Sequence, residues 1–271
     1  MNILDKIVEQ KRLEVAARKK ETPIAALEKA EGFKREVLSL KKALLNEEGT
    51  GIIAEFKRRS PSKGVINGTA DVVDVTSGYA KGGAAALSVL TDEQFFGGAA
   101  DDLRKARINT VPILRKDFMV DEYQLVEARA MGADVILLIA ACLSPGDVKR
   151  LASAAKALQL EVLLEIHNED ELTHICDDCD VVGVNNRDLK TFTVDINTSL
   201  QLAEKIGNRV KISESGISDV KNIELLRAAG FNGFLIGENF MKQADPAIAF
   251  ASFVNRLKSA VANDDSRSQN L

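Results

Sequence analysis

From Ile52 onward the chain alternates between short runs of Val, Ile and Leu and amphipathic stretches of about 10 to 15 residues, the pattern of repeated βα units with parallel strands. Eight runs fit strands, at residues 52–56, 85–90, 111–115, 134–139, 161–166, 181–184, 210–213 and 233–237. A recurring junction supports this division. Lys81-Gly82-Gly83 precedes the second strand, Met131-Gly132-Ala133 the fourth and Ala229-Gly230-Phe231 the eighth, each placing glycine where a helix needs a left-handed stop. Eight units with short connections predict an α/β fold of the closed (β/α)8 TIM-barrel type. An open doubly wound sheet would usually carry fewer strands and a GxGxxG loop after the first, which is absent.

Residues 1–48 precede the repeat. Ile3, Leu4, Ile7, Val8 and Val15 share one helical face, and Thr22-Pro23 reads as an N-cap followed by a first-turn proline. The expected organisation is an N-terminal helical extension packed on the barrel (1–48), the barrel itself (49–262), and a polar tail without apolar pattern, expected to be disordered (263–271). The extension can be read as a plug or buttress, or as an element that also touches ligand.

Composition narrows the partners. A chain of 271 residues with 45% hydrophobic content can bury one large core, so a single barrel domain is expected. Its 36 basic and 40 acidic residues leave a charge of −4, which gives no electrostatic reason to expect nucleic acid or an anionic membrane. The charged N-terminus MNILDKIVEQKR and the lack of a long apolar window fit a cytoplasmic protein. Three cysteines are too few, and odd in number, for a disulfide framework. Cys176-Asp-Asp-Cys179, with His174 nearby, has the spacing of two zinc ligands, but a second pair is missing, so a reduced surface segment and no metal are expected.

Candidate chemistry collects where the strands end, since barrels of this type build their sites at the carboxyl ends. Strand one ends in Glu55 and Lys57, strand three in Arg115-Lys116-Asp117, strand five in Glu165 and His167, strand six in Asn185-Asn186-Arg187, and strand seven in Ser213-Glu214-Ser215-Gly216. Side chains two apart share a face, so Glu55 pairs with Lys57 and Asn185 with Arg187 in pointing into one mouth. One such residue could be a solvated rim; five polar strand ends favour a shared site. Ser215-Gly216-Ile217-Ser218 and Ile236-Gly237-Glu238-Asn239 each place a glycine before a helix, as in the recurring phosphate site of these barrels. Glu238 is expected to offer its amide to the anion and turn its carboxylate away.

The stretches EFKRRSPS (55–62), LRKDF (114–118), LEIH (164–167), GVNNRDL (183–189) and SESGI (213–217) resemble indole-3-glycerol phosphate synthase, over essentially the whole chain. The resemblance implies ring closure of 1-(2-carboxyphenylamino)-1-deoxyribulose 5-phosphate with loss of carbon dioxide and water, in tryptophan biosynthesis. No cofactor is needed, because there is no redox change. It implies Lys116 as the acid that protonates the ketone oxygen, its pKa brought toward neutrality by a neighbouring cation such as Lys57. It implies Glu165 as the base and Lys57 as a candidate acid for dehydration, with Glu55 and Asn185 holding hydroxyl or anilino groups. Arg187, Ser60, Phe118 and Leu189 are implied to bind substrate, and Ser215, Gly216, Gly237 and Glu238 its phosphate; His167 is left a structural or solvated role. The expected partner is the phosphorylated substrate alone, with the protein a monomer or weak homo-oligomer. The rivals are a sugar-phosphate aldolase using a lysine Schiff base and a non-catalytic barrel that binds a phosphorylated metabolite.

Overall fold

The computed structural model describes the backbone of residues 3–268 and the side chains of residues 3–260. Eight parallel strands close on themselves: β1 (Ile52–Phe56), β2 (Ala86–Leu90), β3 (Ile113–Lys116), β4 (Val135–Ile139), β5 (Glu161–Ile166), β6 (Val181–Asn185), β7 (Lys211–Glu214) and β8 (Gly233–Ile236). Pairing is sequential, and β8 returns to β1 with Phe234 opposite Ile52. All eight expected strands are present, displaced by no more than two residues.

Strand alternation divides the apolar residues into two layers. Ile53, Leu114, Leu137, Leu163, Val181, Ile212 and Leu235 fill the barrel, while Ile52, Ala54, Leu87, Ile136, Leu164, Val182 and Phe234 meet the surrounding helices. Helix ends follow from local chemistry. Asp71 caps the helix Val72–Lys81 by accepting from the amides of Val73 and Asp74, and Ser144 caps Pro145–Ala157, with proline in its first turn. At the expected junctions Gly83, Gly132 and Gly230 have φ of 94°, 92° and 87°, the left-handed conformation that stops a helix at little cost only for glycine.

The N-terminal extension reaches both ends of the barrel. Its first helix, Ile3–Glu21, lies at the mouth, where Lys11, 1% exposed, places its ammonium 2.8 Å from Asp92, 3.0 Å from Asp117 and 2.8 Å from Glu14. Its last helix, Leu40–Leu44, sends Leu40 and Leu44 into the interior cluster at the opposite end. In between, Leu38 donates its amide to Asp134 (2.8 Å) and Ser39 bonds Glu161 (2.5 Å).

Two local expectations are corrected. Thr22 is not an N-cap: Pro23 stands at that position of the helix Ile24–Leu27, without a side-chain cap. The final helix, Pro246–Ser268, carries its backbone past residue 262 into the expected disordered tail, since the polar residues there include neither glycine nor proline to stop propagation. The remainder of that tail, residues 269–271, lies outside the described residues.

Candidate active site

The interior face that carries leucine and isoleucine through the barrel ends in polar groups at its carboxyl edge. Glu55 from β1, Lys116 from β3, Glu165 from β5, Asn185 from β6 and Glu214 from β7 all line one cavity. In an eight-stranded barrel β3 faces β7 and β1 faces β5, so long side chains from opposite walls can meet in the middle. Lys116 Nζ lies 2.6 Å from Glu214 Oε2 and 3.4 Å from Glu165 Oε2. Asn185 Nδ2 donates to Glu165 Oε1 at 3.1 Å. Lys57 reaches back to Glu55 at 2.9 Å, as their shared face required, and Ser88 donates to the other Glu55 oxygen at 3.1 Å.

Two glycines make space for these carboxylates. A Cβ on Gly183 would stand 2.3 Å from Glu214 Oε1, and one on Gly237 would stand 2.8 Å from Glu55 Oε1 and 3.0 Å from Glu55 Cβ. Any side chain at either position would force the adjoining carboxylate to shift.

Glu55, Glu165 and Glu214 are 3%, 4% and 1% exposed, and such burial disfavours their charged forms unless cations compensate. For Glu55, burial is outweighed by Lys57 and Lys116, which hold it below the ordinary carboxylate range. For Glu165, burial is outweighed by Lys116 and His167, which hold it well below that range. Burial lifts Glu214 to about 7 against the pull of Lys116, with Glu165 and Glu55 adding to the rise. Lys116 itself is driven above the ordinary lysine range, since Glu214, Glu165 and Glu55 together outweigh its burial. The expected tuning of Lys116 toward neutrality by Lys57 is thus corrected: Lys116 is ringed by carboxylates, and Lys57 is engaged with Glu55.

Ser60, Phe118, Arg187, Leu189, Ser215 and Glu238 line the same cavity, with the Phe118 ring packed 5.9 Å from Phe96. Gly216 lies instead in an adjoining hollow with Lys63, Ser218, Asn239 and Lys242, and Gly237 stands behind Glu55. Ser215 and Gly216 are both left-handed, with φ of 69° and 77°, and Asn186 Nδ2 holds the Ser215 carbonyl at 3.0 Å. Non-glycine residues in this conformation are costly and persist where surrounding structure fixes them. The Glu238 carboxylate does not turn away as expected. It reaches 3.5 Å from both Arg187 and Lys63, because the preceding short turn aims it at the two cations of the same mouth.

Arg115 and Asp117 take no direct part in this cluster. Arg115, fully buried, pairs with Asp117 at 3.0 Å and Glu127 at 3.4 Å, and Asp117 passes the connection on to Lys11. Ile3, Leu4 and Ile7 of the first helix line the cavity, so the extension borders the site as well as buttressing the barrel. Sequence reasoning named Glu214 as a strand end but gave it no role, although its spacing from the inward-facing Ile212 marks it as inward-facing. Phe96 and Phe192, which also line the cavity, lie in loops with no periodic signal. Cys176 and Cys179 hold their sulfurs 3.5 Å apart, and His174 Nε2 contacts the Leu143 carbonyl at 2.9 Å. Among the described residues no three His, Cys, Asp or Glu side chains are grouped to hold a metal ion, and no helix is long and apolar enough to cross a membrane.

The arrangement, with two ammonium groups, three buried carboxylates, an aromatic wall and an adjoining cationic hollow, suits proton transfers on a substrate that carries both an aromatic ring and a phosphate. A statistical model of the indole-3-glycerol phosphate synthase family matches residues 4–253. Curated relatives named indole-3-glycerol phosphate synthase include those of Bacteroides thetaiotaomicron, 47% identical and covering 95% of this chain and 99% of that protein, and Polaromonas sp., 45% identical over 92% and 97%. Among solved structures, the tryptophan synthase complex of Pyrococcus furiosus is similar in fold (TM-score 0.58, 16% identity, 78% of this chain and 98% of that one). The native KDPGal structure is likewise similar (TM-score 0.56, 11% identity, 78% and 94%).

Proposed function

This chain belongs to the indole-3-glycerol phosphate synthase family, and we propose how its own residues divide the work of that reaction. The enzyme closes the ring of 1-(2-carboxyphenylamino)-1-deoxyribulose 5-phosphate, with decarboxylation and dehydration, to give indole-3-glycerol phosphate in tryptophan biosynthesis. The observation that carries the assignment of roles is Lys116, an ammonium reaching the centre of the cavity between Glu214 and Glu165.

Lys116 protonates the ketone oxygen as the aromatic carbon attacks it. Its carboxylate neighbours keep it charged across the neutral range, so the donor form is always populated. Glu214, close to half-protonated near neutral pH, is placed to return the proton at 2.6 Å. After carbon dioxide leaves, Glu165 accepts the ring proton and Lys57 donates to the departing hydroxyl. Glu55, fixed by Ser88 and Lys57, and Asn185 orient the polar substituents. Phe118 and Leu189 flank the aromatic ring, and Arg187 and Ser60 bind at the mouth. Ser215, Gly216, Gly237 and Glu238 frame the phosphate hollow. Holding the ring-opened sugar ready for attack supplies much of the acceleration.

A Schiff-base aldolase is disfavoured by the same observation, because an amine held as an ammonium by three carboxylates is not a free nucleophile. A merely binding barrel is disfavoured by the presence of an acid and a base at one centre. We further propose a division at residue 48 between extension and barrel, and a cytoplasmic monomer or weak homo-oligomer; three free thiols suit a reducing compartment. Purified protein given the anthranilate-derived substrate should generate indole fluorescence, and Lys116→Met should cut turnover by at least ~100-fold while a phosphate analogue still binds. An unchanged rate would remove Lys116 from its role.

A further inference from the structure

His167 follows β5 two residues beyond Glu165, and alternation sends both toward the same side. Its Nε2 stands 3.1 Å from Glu165 Oε1 and its Nδ1 3.2 Å from Glu171 Oε2. Glu171 Oε2 also accepts from the His167 amide at 2.7 Å, while its other oxygen accepts from Asn168 Nδ2 at 3.2 Å. Glu171 belongs to the short 3-10 helix Glu169–His174 that replaces a regular helix after β5. A bare ring lone pair would be repelled by a carboxylate, so a ring with one 3.1–3.2 Å from each nitrogen is favoured with hydrogen on both, as an imidazolium. The approach to Glu165 is too bent for an aligned hydrogen bond and acts as a contact between charges.

The two oxygens of Glu165 therefore have different attendants. Oε1 is held by Asn185 and His167, and Oε2 faces Lys116. The other ionisable groups around Glu165 are Glu214 from β7 and the Cys142 thiol after β4, which burial keeps neutral. Once Lys116 has given its proton to the substrate it no longer carries the charge that supports Glu165.

We propose that His167 is a positioning residue for Glu165: clamped as a cation between Glu165 and Glu171, it anchors Oε1 and keeps the carboxylate ionised while Lys116 is discharged, leaving Oε2 to take the ring proton. The step balances as a dehydration: the ring carbon gives its proton to Glu165, which becomes the neutral acid, and the bonding pair forms the ring double bond as the hydroxyl departs as water with the proton of Lys57. The inference rests on Glu165 as the base. The contacts to Glu165 and Glu171 outweigh burial and raise the His167 imidazole to about 10, in agreement with the geometry.

The test combines ring-nitrogen NMR with kinetics on the full chain. The chain has two histidines, so the spectrum of His167→Gln assigns His167 by difference. In the wild type, His167 should remain doubly protonated to about pH 9. In Glu171→Gln it should lose its proton near neutrality, and turnover of that variant should fall between about pH 6.5 and 9, a loss the wild type does not share. His167→Gln, which keeps a donor but no charge, should lower kcat at least about tenfold with KM changed less than about twofold. Wild-type His167 titrating at the ordinary value of about 6.5 would overturn the proposal. So would a full-rate His167→Gln beside an inactive Glu165→Gln. A fully active Glu165→Gln would instead remove the base itself, separating that failure from this one. If His167→Gln does not fold, Glu171→Gln, which leaves the ring in place, decides the matter.

Discussion

Lys116 on β3 and Glu214 on β7 meet across the full width of the barrel, Nζ to Oε2 at 2.6 Å. Neither residue's protonation can be read from its own strand. Burial drives the carboxyl up, and the carboxylates opposite drive the ammonium up against its own burial, so Lys116 stays charged while Glu214 titrates.

Glu214 should therefore leave a pH signature in stability. Its folded pKa of about 7 exceeds the unfolded value of about 4.3. A raised pKa stabilises the fold fully below the unfolded value, and that contribution is lost as pH rises through 7. Glutamine cannot lose a proton there. Thermal melts should thus show Glu214→Gln gaining on the wild type between pH 5 and pH 8; a difference in Tm independent of pH would rule out a neutral Glu214.

Gly183 should prove as sensitive as a catalytic position. In Gly183→Ala the new methyl group would displace the Glu214 carboxylate from a site it approaches to 2.3 Å. Turnover is expected to fall by as much as ~100-fold, the cost of about 1 Å of misplacement, with the far-ultraviolet circular dichroism retained. A rate within twofold of wild type would show that Glu214 is free to move.

Lys11 carries the attachment of the first helix to the mouth. Lys11→Met would leave Asp92 and Asp117 buried with one fewer cation, and losing one partner of a buried ionic cluster typically costs about 3–5 kcal/mol. Burial opposes the charge of Lys11, but Asp117 and Asp92 outweigh it and hold the ammonium above its ordinary range. Urea unfolding should show the loss, and KM should rise because Ile3, Leu4 and Ile7 on the same helix line the cavity. Stability lost without any change in KM would confine the extension to buttressing.

Glu238 should compete with the substrate's phosphate for Arg187 and Lys63, both 3.5 Å from its carboxylate. Glu238→Gln is expected to tighten inorganic phosphate binding by about two- to fivefold, in line with the ~1 kcal/mol or less of a partly exposed charge pair. Calorimetric titration would measure it, and weaker binding would mean that the carboxylate organises the hollow.

The strands and the face of each strand were legible in the sequence because they depend on local periodicity, and three helix stops were legible because only glycine suits them. Glu55 with Lys57 could be placed from their spacing alone. What stood across from Lys116 could not, since β3 and β7 meet only after closure, and so its electrostatic setting was read with the wrong sign. His167 was given only a structural or solvated role because Glu171 reaches it through a 3-10 turn whose spacing does not announce itself as helical. Thr22 had the chemistry of a cap, but the chain turned into its helix one residue later.

The placement of the extension also bears on assembly. Its contacts lie on Asp117, Asp134 and Glu161, which stand 106, 96 and 122 residues downstream of Lys11, Leu38 and Ser39. The extension thus leaves the ribosome before the surfaces it binds exist. At about 5–20 residues per second, synthesis reaches Glu161 only seconds after Leu40 has emerged. Such distant pairings are intrinsically slow to form, so docking of the extension at both ends belongs to the late part of folding, after the strands it fastens have found one another.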